Sequence, residues 1–225
     1  MRDALIVFAR RPEAGRVKTR LSPPLSAEQA AALYAAMLDD VLEVSAEAAR
    51  IHDLEMWLAV TPADAVVEMS CRAPEGLRVL PQQGRDLPER MSRALEAAVT
   101  RGAPRILLRG SDSPVLDGEK FGEALRILDE AALVVCPDLD GGYNMVGLRR
   151  PALGLFDHPM STGSVADDTV ANARRLGWRC HELAPGFDLD TVEDLSRLRA
   201  LPRELATACC PRTVGLLDEQ GWWPG

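Results

Sequence analysis

Residues 4–9 read Ala-Leu-Ile-Val-Phe-Ala, six apolar residues without a polar break. A strand with one wet face alternates; an unbroken run is expected where both faces are covered, as in a parallel sheet between helices. The start of the chain is thereby committed to the interior of an α/β domain. Ser26, with Gln29 three residues on, then reads as a capping box. Ala30, Leu33, Tyr34, Met37, Leu38, Val41 and Leu42 form one stripe of the helix it opens, and Tyr34, Met37 and Leu38 are read as core.

The alternation continues. Strands are predicted at Leu54–Val60, Leu77–Leu80, Arg105–Arg109, Ala132–Cys136 and Trp178–Leu183, with a strand-like Tyr143–Leu148. Helices are predicted at Asp86–Thr100, Gly118–Asp129, Thr162–Leu176 and Thr191–Leu201. Strands separated by helices imply a mostly parallel sheet. Residues 1–206 are read as one domain and 207–225 as an irregular tail. Within that tail Trp222 and Trp223 are expected to pack back on the body or on a partner subunit, so a homo-oligomer is a candidate assembly.

Bulk properties narrow the class. At 225 residues and 47% hydrophobic, the chain can bury one sizeable core. A net charge of -8 argues against nonspecific binding to nucleic acid or to an anionic membrane. No apolar stretch approaches the ~20 residues of a membrane span. The five cysteines are scattered without a C-x-x-C pair, which argues against a disulfide scaffold or a zinc ribbon. Met1 leads directly into the strand with no charged-then-apolar leader, so a cytoplasmic location is expected.

Ligands of open α/β sheets bind beyond the carboxyl ends of the strands, so the loops there are where chemistry is sought. The first, Arg10–Arg20, carries Arg10, Arg11, Arg16, Lys18 and Arg20 beside Gly15. Cations with a glycine suit a polyphosphate, although a solvated basic loop has the same composition. The second, Gly110–Pro114, presents Asp112 in a Gly/Pro-held turn suited to Mg²⁺ or Mn²⁺, or alternatively to an Asx turn. The third, Cys136–Asn144, contains Asp138, Asp140, Gly141 and Gly142; a hairpin turn uses the same signal. The fourth, Phe187–Leu195, places Asp188 and Asp190 two apart, with Asp190 or Thr191 also able to cap the next helix. One basic and three acidic loops make the set a nucleotide-diphosphate site needs.

Five motifs in order then carry a resemblance. They are R-x-P-x-x-G-x-x-K-T-R-L from Arg10, Q-G-x-D-L-x-x-R-M from Gln83, G-S-D-S-P from Gly110, D-G-G-Y from Asp140 and D-x-D-T-x-E-D-L from Asp188. Together they resemble the GT-A-like bacterial transferases called glycosyltransferases and named for radical-SAM and selenium-domain association. That group is related to the 2-phospholactate guanylyltransferases. The resemblance covers the chain to about Leu201 and implies a Rossmann-like αβα sandwich of the nucleotide-diphospho-sugar transferase type. It implies Asp112 as a metal position, with the fourth loop supplying the second carboxylate, Asp190 in preference to Asp188. It implies that Arg10, Arg11, Gly15, Lys18, Arg20, Gln83 and Gly84 cradle nucleotide and phosphates. Gly141, Gly142, Tyr143, Ser161 and Thr162 would lie near the acceptor. Pro88, Cys136 and Met160 depart from the group's usual residues.

Three functions follow as expectations. The first is a metal-dependent glycosyltransferase acting on a nucleotide-activated donor and a small-molecule acceptor, with catalysis by Asp112, Asp140 as base and Lys18. The second is a nucleotidyltransferase, guanylyl or cytidylyl, acting on a small phosphorylated acceptor; five cations in the first loop suit a triphosphate. The third is a catalytically silent nucleotide-binding module.

Overall fold

The computed structural model describes residues 1–160 and 162–224. The apolar run becomes β1 (Ala4–Arg10), buried along its first six residues. It joins β2 (Glu55–Thr61), β3 (Arg78–Pro81), β4 (Ile106–Arg109), β5 (Leu133–Pro137), β6 (Tyr143–Leu148) and β7 (Cys180–Glu182) in one sheet. The strand order is β3-β2-β1-β4-β6-β5-β7. Only β6 runs antiparallel to its neighbours, β4 and β5; every other pairing is parallel. Gly147 in β6 is tightly held, since a Cβ there would lie 2.6 Å from Leu107 and 2.7 Å from Val134.

Side-chain alternation along β1 feeds two cores. Leu5 and Val7 pack with α1 (Ala27–His52), α2 (Val66–Arg72) and α4 (Glu119–Ile127), through Leu38, Met69 and Phe121. Ile6 and Phe8 face the other way, towards α3 (Leu87–Thr100) and α5 (Val165–Arg175), through Leu95 and Val170. These faces make the three-layer αβα sandwich expected from the resemblance. Each such buried apolar side chain contributes about 1.5–3 kcal/mol.

The capping box of Ser26 and Gln29 forms as expected. A second one, Thr191 with Asp194, opens α6 (Val192–Ala200). No described helix is long and apolar enough to cross a membrane.

The tail requires a correction. Residues expected to be irregular form the end of α7 (Arg203–Cys209) and all of α8 (Pro211–Gln220). The N-terminus of α8 is capped from α1: the Asp40 carboxylate accepts the N–H groups of Arg212 (3.0 Å) and Thr213 (2.8 Å) and the Thr213 hydroxyl (2.7 Å). The two N–H groups are donors that a helix start leaves unsatisfied. Leu33 and Met37 of α1 meet Leu198, Val214 and Leu217 in a third core, against which Trp222 and Trp223 pack. The Trp223 indole N–H also donates to Asp218 at 2.7 Å.

Candidate active site

The ends of β1, β4 and β5 and the start of antiparallel β6 fall on one rim, and the four polar loops meet there around a cleft of about 750 Å³. Arg10, Arg20, Asp112, Asp140, Tyr143 and Asp188 line it, together with Asp86, Arg90 and Met91 at the start of α3.

Arg109 explains how the second loop is held. It is the one charged residue of β4 and is fully buried. Its guanidinium donates to the carbonyls of Ser113 (2.6 Å) and Gly110 (3.2 Å) and lies over the Phe121 ring. Burial lowers its pKa to about 10, which leaves it charged at neutral pH. The Ser113 hydroxyl donates to the Phe187 carbonyl (2.9 Å), and the Leu189 N–H donates to the Asp112 carbonyl (2.8 Å). These bonds stitch the Asp112 loop to the segment that carries Asp188 and Asp190.

The first loop divides in two. Arg10 and Arg20 face the cleft, whereas Arg11 turns away to pair with Glu13 (3.1 Å) and Asp64 (3.3 Å). Gly15 lies exposed at φ 72 and does not line the cleft. Lys18 adopts a left-handed backbone, φ 47, and its side chain is only 2% exposed. Its ammonium contacts Asp112 Oδ1 and lies 2.8 Å from Asp190 Oδ1. Burial alone would depress the Lys18 pKa, but the Asp112 and Asp190 carboxylates outweigh it and hold the ammonium charged. Burial likewise works to raise Asp190, and Lys18 with Arg20 more than offsets it, so that carboxylate stays ionised.

The acidic side is arranged differently. Asp188 Oδ1 is buried without a hydrogen-bond partner. Burial, with the charges of Asp112 and Asp138, pushes the Asp188 carboxyl well above the usual range. Asp138 is raised to about 6 by burial and by its neighbour Asp140. A divalent cation is the group that would relieve such crowding, and an all-oxygen set suits Mg²⁺ or Mn²⁺. Among the described residues no three His, Cys, Asp or Glu side chains form a cage. One or two carboxylates completed by substrate phosphates is how Mg²⁺ is commonly held. The residues present therefore fit that ion.

The third loop serves both of its readings. It is the turn joining antiparallel β5 and β6, and it also lines the cleft. The Gly142 N–H donates to Asp140 Oδ1 (2.8 Å), which orients that carboxylate. Gly141, at φ 91, lies so close to Gly163 that a Cβ would collide with the Gly163 backbone. The Gly141 carbonyl accepts from the Ala166 N–H in the first turn of α5 (3.0 Å).

Gly142, Tyr143 and Thr162 line the cleft and Gly141 does not; Ser161 lies outside the described residues. Gln83 does not line it. Gln82 does, because its N–H extends the β2–β3 ladder to the Val60 carbonyl, and the next residue in an extended chain points away. The Gln82 amide donates to the carbonyls of Ala59 (2.9 Å) and Ala9 (3.2 Å). Gly84 packs against the start of α3, where a Cβ would lie 2.7 Å from the Arg90 nitrogen, and does not line the cleft. Asp190, the preferred second carboxylate of the sequence reading, is engaged by Lys18 and Arg20; Asp188 has the free oxygen and faces the cleft. Asn144 is a further lining residue, buried with both amide atoms unpartnered. Its signal was a polar residue in an otherwise apolar strand.

A mostly parallel sheet whose cationic and acidic loops converge at one rim defines a transferase of the nucleotide-diphospho-sugar transferase fold. A protein of Desulfovibrio desulfuricans G20, assigned to those transferases, has a crystal structure matching 98% of this chain and 96% of its own, with a TM-score of 0.86 at 29% identity. The chain belongs to the family described as "Uncharacterized protein conserved in bacteria (DUF2064)", whose profile matches residues 43–162. It is 30% identical over 185 residues to the phosphoenolpyruvate guanylyltransferase of Sphaerobacter thermophilus, covering 80% of this chain and 86% of that protein. It is 33% identical over 195 residues to the 2-phospho-L-lactate guanylyltransferase of Methanothermobacter thermautotrophicus, covering 80% and 78%.

Proposed function

We propose that the chain is a metal-dependent nucleotidyltransferase that moves a nucleoside monophosphate from a nucleoside triphosphate to a small phosphorylated acid. The observation that carries this reading is the pairing, across one cleft, of Arg10 and Arg20 with Asp112 and Asp188. Both guanylyltransferase relatives are named for acceptors that bear a phosphate and a carboxylate. These relatives favour nucleotidyl transfer over the glycosyl transfer that headed the sequence reading.

In the reaction an acceptor phosphate oxygen attacks the α-phosphorus, a new P–O bond forms, and the bond to the β-phosphate oxygen breaks to release pyrophosphate. The attacking phosphate is already ionised at neutral pH, so a general base is not required, and Asp140 acts as an orienting group instead of abstracting a proton. Arg10 and Arg20 neutralise the phosphates and hold them in line, which is most of what phosphoryl chemistry asks of a protein. Asp112 and Asp188 would hold Mg²⁺ or Mn²⁺, which supplies charge for the triphosphate and its leaving group. The turn at Asp140 and Gly142, with Tyr143 and Thr162 beside it, would receive the acceptor.

The test is pyrophosphate release from GTP, CTP, ATP and UTP with Mg²⁺ or Mn²⁺, across a panel of phosphorylated three-carbon acids. Pyrophosphate that requires both a nucleoside triphosphate and an acceptor is expected, with GTP preferred. No release with any pairing, alongside transfer from a sugar nucleotide, would return the assignment to glycosyl transfer.

A further inference from the structure

We infer that Lys18 is a built-in counter-ion that competes with a divalent cation for Asp112, so that the donor's phosphates must draw the lysine away for the cation to bind tightly. The ammonium touches Asp112 Oδ1 and sits 2.8 Å from Asp190 Oδ1, spanning the two loops the resemblance marked for metal. The side chain is buried to 2% exposure, so water replaces these contacts poorly. Its left-handed backbone and the Tyr34 ring, 5.8 Å from the ammonium, fix its direction towards the carboxylates.

A dication on Asp112 would face this ammonium at contact range in a partly dry setting, where like charges repel strongly. The polyphosphate of a donor offers the ammonium more negative charge than the two carboxylates do. Lysine, a point charge on a flexible four-carbon stem, can exchange one set of oxygens for the other. Arg20, 3.4 Å from Asp190 Oδ2, stays to balance Asp190. Donor and cation thus strengthen each other's binding, and such coupling is reciprocal. The donor half of this mechanism rests on the nucleotidyl-transfer reading; competition between Lys18 and the cation does not.

The experiment titrates the full chain with Mn²⁺ alone, reading free Mn²⁺ by electron paramagnetic resonance. Lys18→Met is expected to bind Mn²⁺ at least about tenfold more tightly than the parent. Arg20→Met, which removes the same charge from beside the same Asp190, should shift affinity less than about threefold, because its charge is exposed and screened. Lys18→Met should also melt below the parent and recover when Mn²⁺ is added. Affinity in Lys18→Met equal to or weaker than the parent's would overturn the inference, as would an equal gain in Arg20→Met. Should Lys18→Met not fold, the parent itself gives the answer. The chain has two lysines, Lys18 and Lys120, so acylation of Lys18 can be read by mass spectrometry against Lys120. Millimolar Mn²⁺ should raise Lys18 labelling relative to Lys120; an unchanged ratio at saturating Mn²⁺ would refute displacement. Absence of pyrophosphate release in the functional assay would leave both readouts intact.

Discussion

The hydroxyl of Tyr34, on α1, lies 2.7 Å from the hydroxyl of Ser111 and accepts the Arg10 N–H at 3.0 Å. One buried atom thus joins the first helix, the basic loop and the Asp112 loop. Burial and the charge of Asp112 raise the Tyr34 pKa to about 12, so the group remains a neutral phenol at working pH. Tyr34→Phe keeps the packing but strands the Arg10 N–H and Ser111. Denaturant unfolding should show a loss of about 1–2 kcal/mol. Catalytic efficiency should fall several-fold as the two loops lose their common tether.

The acidic rim gives a pH prediction. Asp138, raised from an ordinary 3.8 to about 6, holds its proton in the folded state at pH values where the unfolded chain has lost it. The folded state binds more protons between those values, so stability falls as pH rises through this window. Melting temperatures measured from pH 4 to 7 should decline on that account, and Asp138→Asn should flatten the decline. A decline of equal size in Asp138→Asn would assign the slope to other groups.

The strand–helix order was legible because both of its signals are local. The unbroken β1 run and the Ser26–Gln29 box each sit within a few residues. The convergence of four loops was also legible, since parallel strands deliver their carboxyl ends to one rim. Long-range pairing was not. Nothing near Lys18 marks it as buried rather than solvated; its partner Asp190 lies 172 residues away. The same holds for α8, whose cap is Asp40. The segment after residue 206 carries Cys209, Cys210 and Pro211 and no clear apolar period, so its helices were invisible. Gln82 and Gln83 illustrate a finer limit: either glutamine could serve, and only the phase of β3 selects the first.

Asp40→Ala removes the four hydrogen bonds, two from backbone N–H groups, one from the Thr213 hydroxyl and one from the Arg212 guanidinium, that tie the start of α8 to α1. A loss of about 1–3 kcal/mol is expected. Hydrogen exchange should report it selectively in α7 and α8, with protection of β1 and β4 retained. The catalytic rate of the folded fraction should be unchanged, since this cap is remote from the cleft. Uniform loss of protection would mean that the tail is integral to the whole domain.

Gly141→Ala tests the acceptor side. The residue has φ 91, and a methyl group would strike the Gly163 backbone, so the turn must open. The expected outcome is a raised KM for the phosphorylated acceptor with nucleotide affinity preserved, because Arg10 and Arg20 lie on another loop. Destabilisation should exceed about 1 kcal/mol from the backbone conformation alone. Equal loss of donor and acceptor affinity would show that the loop shapes the entire cleft.

Asp112 and Asp188 should both be needed for catalysis, yet their removal should affect stability in opposite directions. Asp188 is the more buried and has an unpartnered oxygen, so its charge is a cost to the fold. Asp188→Asn removes that cost and should leave the protein at least as stable as the parent at pH 7 and above, where the parent carboxyl is most readily ionised. Asp112 is more exposed, but it is one of two carboxylates balancing buried Lys18. Asp112→Ala leaves the ammonium with Asp190 alone and should lower stability by about 1–2 kcal/mol, the exposure of Asp112 discounting what a buried pair would lose. Each variant should lower the rate of pyrophosphate release at least about 100-fold, the scale expected when a principal charge-stabilising group is lost. The discriminating measurement is melting temperature and initial rate on the same samples. Two inactive variants with melting temperatures on opposite sides of the parent would separate the charge that holds Lys18 from the charge kept for the cation, and two that both melt low would make Asp188 part of the scaffold.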